Sequence, residues 1–246
     1  MDFTSIVVYV LIGFVAQTID GALGMAYGVI SNTFLLGAGL TPALASASVH
    51  TAELFTTLIS GISHLRLRNV DKPLFGKLLI PGVLGGVLGA YILTSVPGEA
   101  IKPYITGYLV IMGLLVLRKA FKAQKQVEIA KGAVPLGLIG GFCDAVGGGG
   151  WGPVVTSTLM AKGLNPRLTI GTVNCAEFFV TAAQAAAFFL ALRAVNWQVI
   201  LGLAIGGVIA APLAAIACRR LPAKTLTILV GVLIVAVNVR ALVLMF

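Results

Sequence analysis

The chain has 246 residues, of which 59% are hydrophobic and only 10% are charged. A water-soluble globular protein carries about 25% charged residues, so this composition excludes a soluble domain and predicts an all-α polytopic membrane protein. The net charge of +9 does not indicate binding to nucleic acid, because Lys and Arg lie in short connections between apolar runs. There they act as topology signals and contact the lipid bilayer.

The first apolar segment, residues 4–37, is too long for one membrane crossing, and the motif DGALGMAYG at 20–28 interrupts it. Because the first residues contain Asp2 and no basic n-region, we expect no cleaved signal peptide. Three spanning helices are predicted to follow, at 42–63, 74–94 and 101–118.

The second half repeats this order. Segment 132–162 is interrupted by the motif DAVGGGGWG at 144–152, and spans are predicted at 166–190, 197–218 and 224–245. A constant shift of 124 positions carries Asp20 onto Asp144 and Glu53 onto Glu177. We therefore predict two repeats, 1–118 and 132–246, joined by a cytoplasmic basic linker at 119–131.

The glycine motifs are predicted to break their helices, since each glycine costs about 1 kcal/mol relative to alanine in a helix. Unwound backbone is tolerated in lipid only under a cover of protein or beside a wet cavity. Each broken segment is thus either a kinked span or a re-entrant hairpin. The re-entrant arrangement leaves more Lys and Arg on the cytoplasmic side, which the positive-inside rule favours. It also leaves three spans per repeat, an odd number, and so predicts inverted repeats.

Ionisable residues inside the apolar segments are few. A charge at the bilayer centre costs at least about 2.5–3.5 kcal/mol, so such side chains face a cavity or a partner. The functional interpretation is that they handle protons or sodium as a coupling ion, and the alternative is that they bond exposed backbone or cap helices. The candidates are Glu53, Glu177, His50, Asp20 and Asp144.

The glycine breaks suit an oxyanion. A half-helix that begins near Gly24 or Gly149 presents free N–H groups and the positive end of its dipole. Tyr27 and Trp151 are equivalent in the two motifs and are expected to wall the pocket. The predicted substrate-binding residues are Gly24, Met25, Tyr27, Gly28, Gly148, Gly149, Gly150, Trp151, Ser48, Thr172 and Asn174. Glycine also permits close helix packing, which is the reading favoured for Gly82, Gly85, Gly86 and Gly89.

These features resemble the sulfite exporter TauE/SafE family of membrane permeases. The resemblance is carried by the two glycine breaks, the Gly-Leu-x-Pro motifs at 39–42 and 163–166, and the following apolar helices with a central acid. It implies transport of small sulfur-containing or organic anions such as sulfite, sulfonates or sulfoacetate, with proton coupling the usual proposal, in the bacterial plasma (inner) membrane. The first motif departs from the pattern, with Leu23, Met25 and Ala26 where the second has glycines.

The sequence therefore predicts a secondary transporter for a small anion. The transporter is expected to work by rocking one repeat against the other. An anion channel and a cation transporter that uses the acids remain alternatives, and a homodimer remains open. A membrane enzyme is disfavoured, because the chain has two histidines and no nucleophile–base pair at useful spacing. No cofactor and no metal site are predicted, and Cys143, Cys175 and Cys218 read as small buried residues.

Overall fold

The computed structural model describes residues 3–121, 132–162, 164–192, 195–217 and 223–244, and these ranges contain helices and no β-strand. Most of the predicted linker, at 122–131, and Cys218 lie outside the described residues. The first half forms α1 (Phe3–Leu23), α2 (Tyr27–Gly37), α3 (Pro42–Arg66), α4 (Lys72–Ser95) and α5 (Gly98–Phe121). The second forms α6 (Ala133–Gly147), a π-helical turn (Trp151–Thr156), α7 (Ser157–Ala161), α8 (Pro166–Ala191), α9 (Trp197–Ala217) and α10 (Ala223–Val243).

The order of elements is the same in both halves, and the helix breaks fall inside the two glycine motifs as predicted. The Gly-Leu-x-Pro motifs act as helix starts. Thr41 caps α3 by accepting a hydrogen bond from the Leu44 N–H, and Asn165 caps α8 by accepting from Arg167 and Leu168. In each case proline occupies the first helical position, where its missing N–H costs nothing.

The surface is apolar and the interior holds the polar groups, as expected for a protein in lipid. Three described helical stretches are long and apolar enough to cross a membrane, Lys72–Ser95, Arg167–Ala191 and Trp197–Ala214. The 25-residue α3 falls short on hydropathy because it carries a row of buried polar residues. That row is Ser46, Ser48, His50, Thr51, Glu53, Thr56, Thr57 and Ser60.

The most extensive helix contacts all join one half to the other, and they are reciprocal: α1 packs on α9, and α6 packs on α4. The equivalent helices α3 and α8 run in opposite directions, because His50 stacks on Phe188 while Gly61 lies against Cys175. Helices α5 and α10 are also antiparallel, since Gly113 packs on Ile234 and Gly231 on Leu117.

The second broken segment turns back on itself. Helix α4 runs parallel to α6, with Leu78 against Gly137 and Gly89 against Phe142. It also runs parallel to α8, with Gly82 against Val180 and Gly86 against Gln184. Helices α6 and α8 therefore point the same way, so the chain between them must return to the side from which α6 started.

The glycines of α4 serve packing, as the sequence predicted. A Cβ at Gly85 would overlap the carbonyl oxygen of Leu138, and one at Gly89 would lie 2.7 Å from that of Phe142. The small residues thus let α4 and α6 approach at backbone distance.

We expect Gly85→Ala to lower the free energy of unfolding by about 1–3 kcal/mol or more, because the added methyl has no room and the helices must separate. Thermal unfolding of the purified protein in detergent measures this. Gly76→Ala on the same helix is the matched control, since a Cβ there meets nothing within 4 Å. Equal stability of the two variants would contradict the close-packing role.

Candidate functional site

Four carboxyl groups meet at the centre of the molecule. Asp20 of α1, Glu53 of α3, Asp144 of α6 and Glu177 of α8 are each at most 5% exposed. They line a cleft that is too narrow to hold a water molecule. Each half contributes one Asp and one Glu, so the structure brings together the repeat-related acids that the sequence singled out.

The two glycine breaks touch in the same cleft. A Cβ on Gly28 would lie 2.6 Å from the Cα of Gly149, and a Cβ on Gly149 would overlap backbone atoms of Gly28 and Val29. Gly149 has φ +155° and its neighbour Gly148 has φ +62°, backbone conformations that favour glycine. Glycine is therefore required here both for the turn and for the contact between the halves.

The aspartates bind the backbone N–H groups at the breaks. Asp144 Oδ1 accepts hydrogen bonds from the N–H groups of Gly150 (2.8 Å) and Trp151 (3.0 Å). Asp20 Oδ1 accepts from the N–H of Tyr27 at a longer 3.4 Å. These are donors of the kind predicted to hold a substrate anion, and in this conformation the protein's own carboxyl groups occupy them.

The two equivalent aromatic residues differ in position. Tyr27 lines the cleft and its hydroxyl donates to the carbonyl of Leu203 at 3.1 Å. Trp151, which the sequence predicts to wall the pocket, is not among the residues that line this cleft. Its ring packs against Gly82, and its indole N–H donates to the carbonyl of Val173 at 3.2 Å. Because Gly82 has no side chain, the indole of Trp151 fits against the backbone of α4.

The predicted polar contacts Ser48, Thr172 and Asn174 do not line the cleft. Ser48 donates to the Leu44 carbonyl within α3, and Thr172 accepts from the Asp71 N–H at the start of α4. Asn174 accepts a hydrogen bond from the hydroxyl of Ser60 at 2.8 Å, across the two halves. In this conformation all three make hydrogen bonds within a helix or between helices. Of the motif residues, Gly28, Gly149 and Gly150 line the cleft, whereas Gly24, Met25 and Gly148 are buried and are not among its lining residues.

His50 lies between an acid of the first half, Glu53, and an acid of the second half, Asp144. Its Nδ1 lies 2.9 Å from Glu53 Oε2 and 3.8 Å from Asp144 Oδ2, and its Nε2 lies 3.1 Å from the carbonyl oxygen of Asp144. The possible metal-ligand atoms of these three residues fall within 4.8 Å of one another. Both Asp144 carboxyl oxygens and both His50 nitrogens already take part in hydrogen bonds. We therefore read this set as a hydrogen-bonded network.

Several further side chains complete the network, and of these Gln184, Ser46 and Tyr108 were not singled out by the sequence. Gln184 Nε2 donates to Asp144 Oδ2 at 3.0 Å, and Ser46 donates to the carbonyl of Ala145 at 2.6 Å. Asn32 donates to the carbonyl of Gly147 at 2.6 Å, and Tyr108 to that of Gly149 at 3.3 Å. A lone Gln in the apolar α8 was a usable signal. Ser46 and Tyr108 had none, because such residues are common in any transmembrane helix.

Comparison with known proteins identifies the family. The model of the family described as "Sulfite exporter TauE/SafE" matches residues 9–241. The "Probable membrane transporter protein YtnM" of Bacillus subtilis (strain 168) is 46% identical over 248 aligned positions, which cover 97% of this chain and 83% of that protein. The "Probable membrane transporter protein YunE" of the same organism is 19% identical, over 95% of this chain and 96% of that protein. No solved structure matches.

We expect Asp144→Ala to lower the free energy of unfolding by about 2–5 kcal/mol. It leaves two backbone N–H groups without this acceptor in the interior and removes one of the two hydrogen bonds that the Gln184 amide donates. Asp20→Ala removes a longer bond and should cost clearly less. Thermal unfolding of the two variants beside wild type measures the difference. An Asp20→Ala loss as large as that of Asp144→Ala would show that the two breaks are held equally.

Proposed function

The chain belongs to the sulfite exporter TauE/SafE family and is a membrane transporter, and we propose that it is a secondary transporter of a small sulfur-containing or organic anion of the sulfite, sulfonate or sulfoacetate class. The substrate binds between the two glycine breaks. Protons are the proposed coupling ion, with sodium as the alternative. The membrane is the plasma membrane of a bacterium, the kind of organism from which both relatives come.

One observation carries the anion site. The N–H groups of Tyr27, Gly150 and Trp151 already bind carboxyl oxygens where the breaks meet. A sulfonate or sulfite presents oxygens of the same kind, and helix N-termini attract negative charge. The substrate would replace Asp20 and Asp144 on these donors when the cleft widens.

The charge of the cleft supports ion coupling. Four carboxyl groups line it, and none of its described lining residues is Lys or Arg. An anion placed against ionised carboxylates in a medium of low dielectric constant is strongly repelled. Glu53, Glu177, His50, Asp20 and Asp144 are therefore the proposed carriers of the protons that accompany the anion.

The packing supports alternating access between inverted repeats at 1–118 and 132–246. The equivalent helices α3 and α8, and α5 and α10, run in opposite directions. The return of the chain between α6 and α8 fits a re-entrant hairpin in the second half. Rocking one half against the other would then open the cleft to alternate sides.

A cation transporter is the second candidate, and the same cleft favours it. Four carboxyl groups from four helices offer the oxygen ligands that hard cations prefer. In that case the acids themselves would bind the substrate, and the N–H groups at the breaks would serve only as helix starts.

The first test is thermal unfolding of the purified protein with sulfite, sulfate, thiosulfate, sulfoacetate, taurine, acetate and the chloride salts of sodium and potassium. A ligand at about 100 times its Kd stabilises the native state by about 2.7 kcal/mol. We expect a selective rise in melting temperature with one sulfur oxyanion. Gly149→Ala should abolish it, because a side chain there meets the backbone of Gly28 and Val29.

Gly37→Ala is the matched control and should keep the shift, since a Cβ there meets nothing within 4 Å. Counterflow of the labelled anion in wild-type proteoliposomes tests transport without relying on a variant that unfolds. A shift that a folded Gly149→Ala protein retains would overturn the placement of the site. Stabilisation by a cation alone, with no anion counterflow, would favour the cation transporter.

A further inference from the structure

His50 links the two halves at the centre of the molecule. It belongs to α3, its ring stacks on Phe188 of α8 with centroids 6.1 Å apart and planes 9° apart, and it is 0% exposed. Its Nε2 lies 3.1 Å from the backbone carbonyl oxygen of Asp144 near the end of α6. Its Nδ1 lies 2.9 Å from Oε2 of Glu53 on its own helix.

These contacts fix where hydrogen atoms lie. A carbonyl oxygen can only accept, so Nε2 carries a hydrogen and donates it to Asp144. In a neutral ring with that tautomer, Nδ1 presents a lone pair. Because a lone pair at 2.9 Å from a carboxylate oxygen is repelled, one proton must lie between Nδ1 and Glu53 Oε2. The pair then has zero net charge, whether that proton sits on the nitrogen or on the oxygen.

We propose that His50 and Glu53 together hold one coupling proton, and that this proton leaves only when α3 parts from α6; this inference rests on the proposed transport function. Loss of the proton leaves a neutral imidazole that faces a carboxylate. The ring cannot turn away while Nε2 is held by Asp144 and its face by Phe188. Opening the contact between the halves frees the ring and lets the proton pass to water in the widened cleft.

The groups around the pair strengthen this coupling. Facing it are Asp20 from α1, Tyr27 from α2, Asp144 from α6 and Glu177 from α8, and all of these line the same cleft. Asp144 Oδ2 lies 3.8 Å from Nδ1, so a second carboxyl group borders the position of the shared proton. Without the proton, the carboxylate of Glu53 would add negative charge where the anion is proposed to bind. When the pair holds its proton, a substrate with one negative charge therefore meets less electrostatic repulsion in the cleft.

The arrangement is not repeated in the second half. Asn174 stands at the position equivalent to His50, and its amide is bonded to Ser60 and to the carbonyl of Ile170. The Asn174 amide does not ionise near neutral pH, so the second half has no such pair. The His50–Glu53 pair of the first half therefore contributes one proton per transport cycle.

The first experiment is NMR of the full-length protein labelled with ¹⁵N in histidine. The chain has two histidines, so the spectrum of His50→Asn assigns the signals of His50. We expect Nε2 of His50 to be protonated and Nδ1 to report a strong hydrogen bond with Glu53. An unprotonated Nε2, or a ring that titrates like a free imidazole, would overturn the proposal without reference to any substrate.

The second experiment measures accumulation of the labelled anion in proteoliposomes with the membrane potential clamped at zero. One proton per monovalent anion gives an equilibrium accumulation ratio that changes about tenfold per unit of pH gradient. Glu53→Gln should lose this dependence, because its amide can donate to Nδ1 without a titrating proton. His64→Gln, at the other buried histidine, should keep it, since His64 bonds Asn69 away from the cleft.

The outcomes separate the two claims. Counterflow that persists in wild type without a tenfold dependence on the pH gradient, or a Glu53→Gln protein that keeps this dependence, overturns the proton pair and leaves the transport function standing. If no sulfur anion shows counterflow but the NMR signals are as expected, the proposed transport function is overturned. The shared proton of His50 and Glu53 is then still supported. If Glu53→Gln exchanges no substrate, the NMR result decides the proposal.

Discussion

The structure depends on how it satisfies the backbone groups that its two helix breaks release. In lipid such groups have no water, and each unpaired one costs several kcal/mol. At the second break, Asp144 takes the N–H groups of Gly150 and Trp151, while Asn32 and Ser46 donate to the carbonyls of Gly147 and Ala145. Every one of these side chains is buried. The break is thus closed by groups from both halves, and this requirement brings the halves together at their breaks.

Close packing of glycines makes that meeting possible. Gly28 touches Gly149 at the centre, and Gly85 and Gly89 let α4 lie directly on the backbone of α6. Because each half packs mainly on the other, neither has a core of its own that could be separated from its partner. Because the halves pack on each other, α1, α3, α6 and α8 all border the cleft, and each contributes one acid.

The two breaks occupy equivalent positions but differ in residues and in hydrogen bonding. The second has glycine at 148–150 and a firmly bonded Asp144, whereas the first has Ala26 at φ +97°, a left-handed conformation that costs an alanine about 1–2 kcal/mol. Asn174 stands in the second half at the position that His50 occupies in the first. The second half therefore carries an amide at the position where the first carries an ionisable imidazole.

The sequence alone determined that the chain is an all-α membrane protein with two similar halves, broken helices at the glycine motifs and paired intramembrane acids, because hydropathy, glycine content and spacing are local properties. It also indicated the family, which the comparisons confirmed. Only the tertiary structure decided that the acids share one cleft, that Asp144 accepts the hydrogen bonds of the N–H groups at the second break, and that Trp151 packs away from the centre. The shared cleft depends on contacts between residues more than a hundred positions apart, such as Asn32 with Gly147 and Tyr27 with Leu203, and no local pattern specifies which partner a buried polar group will find.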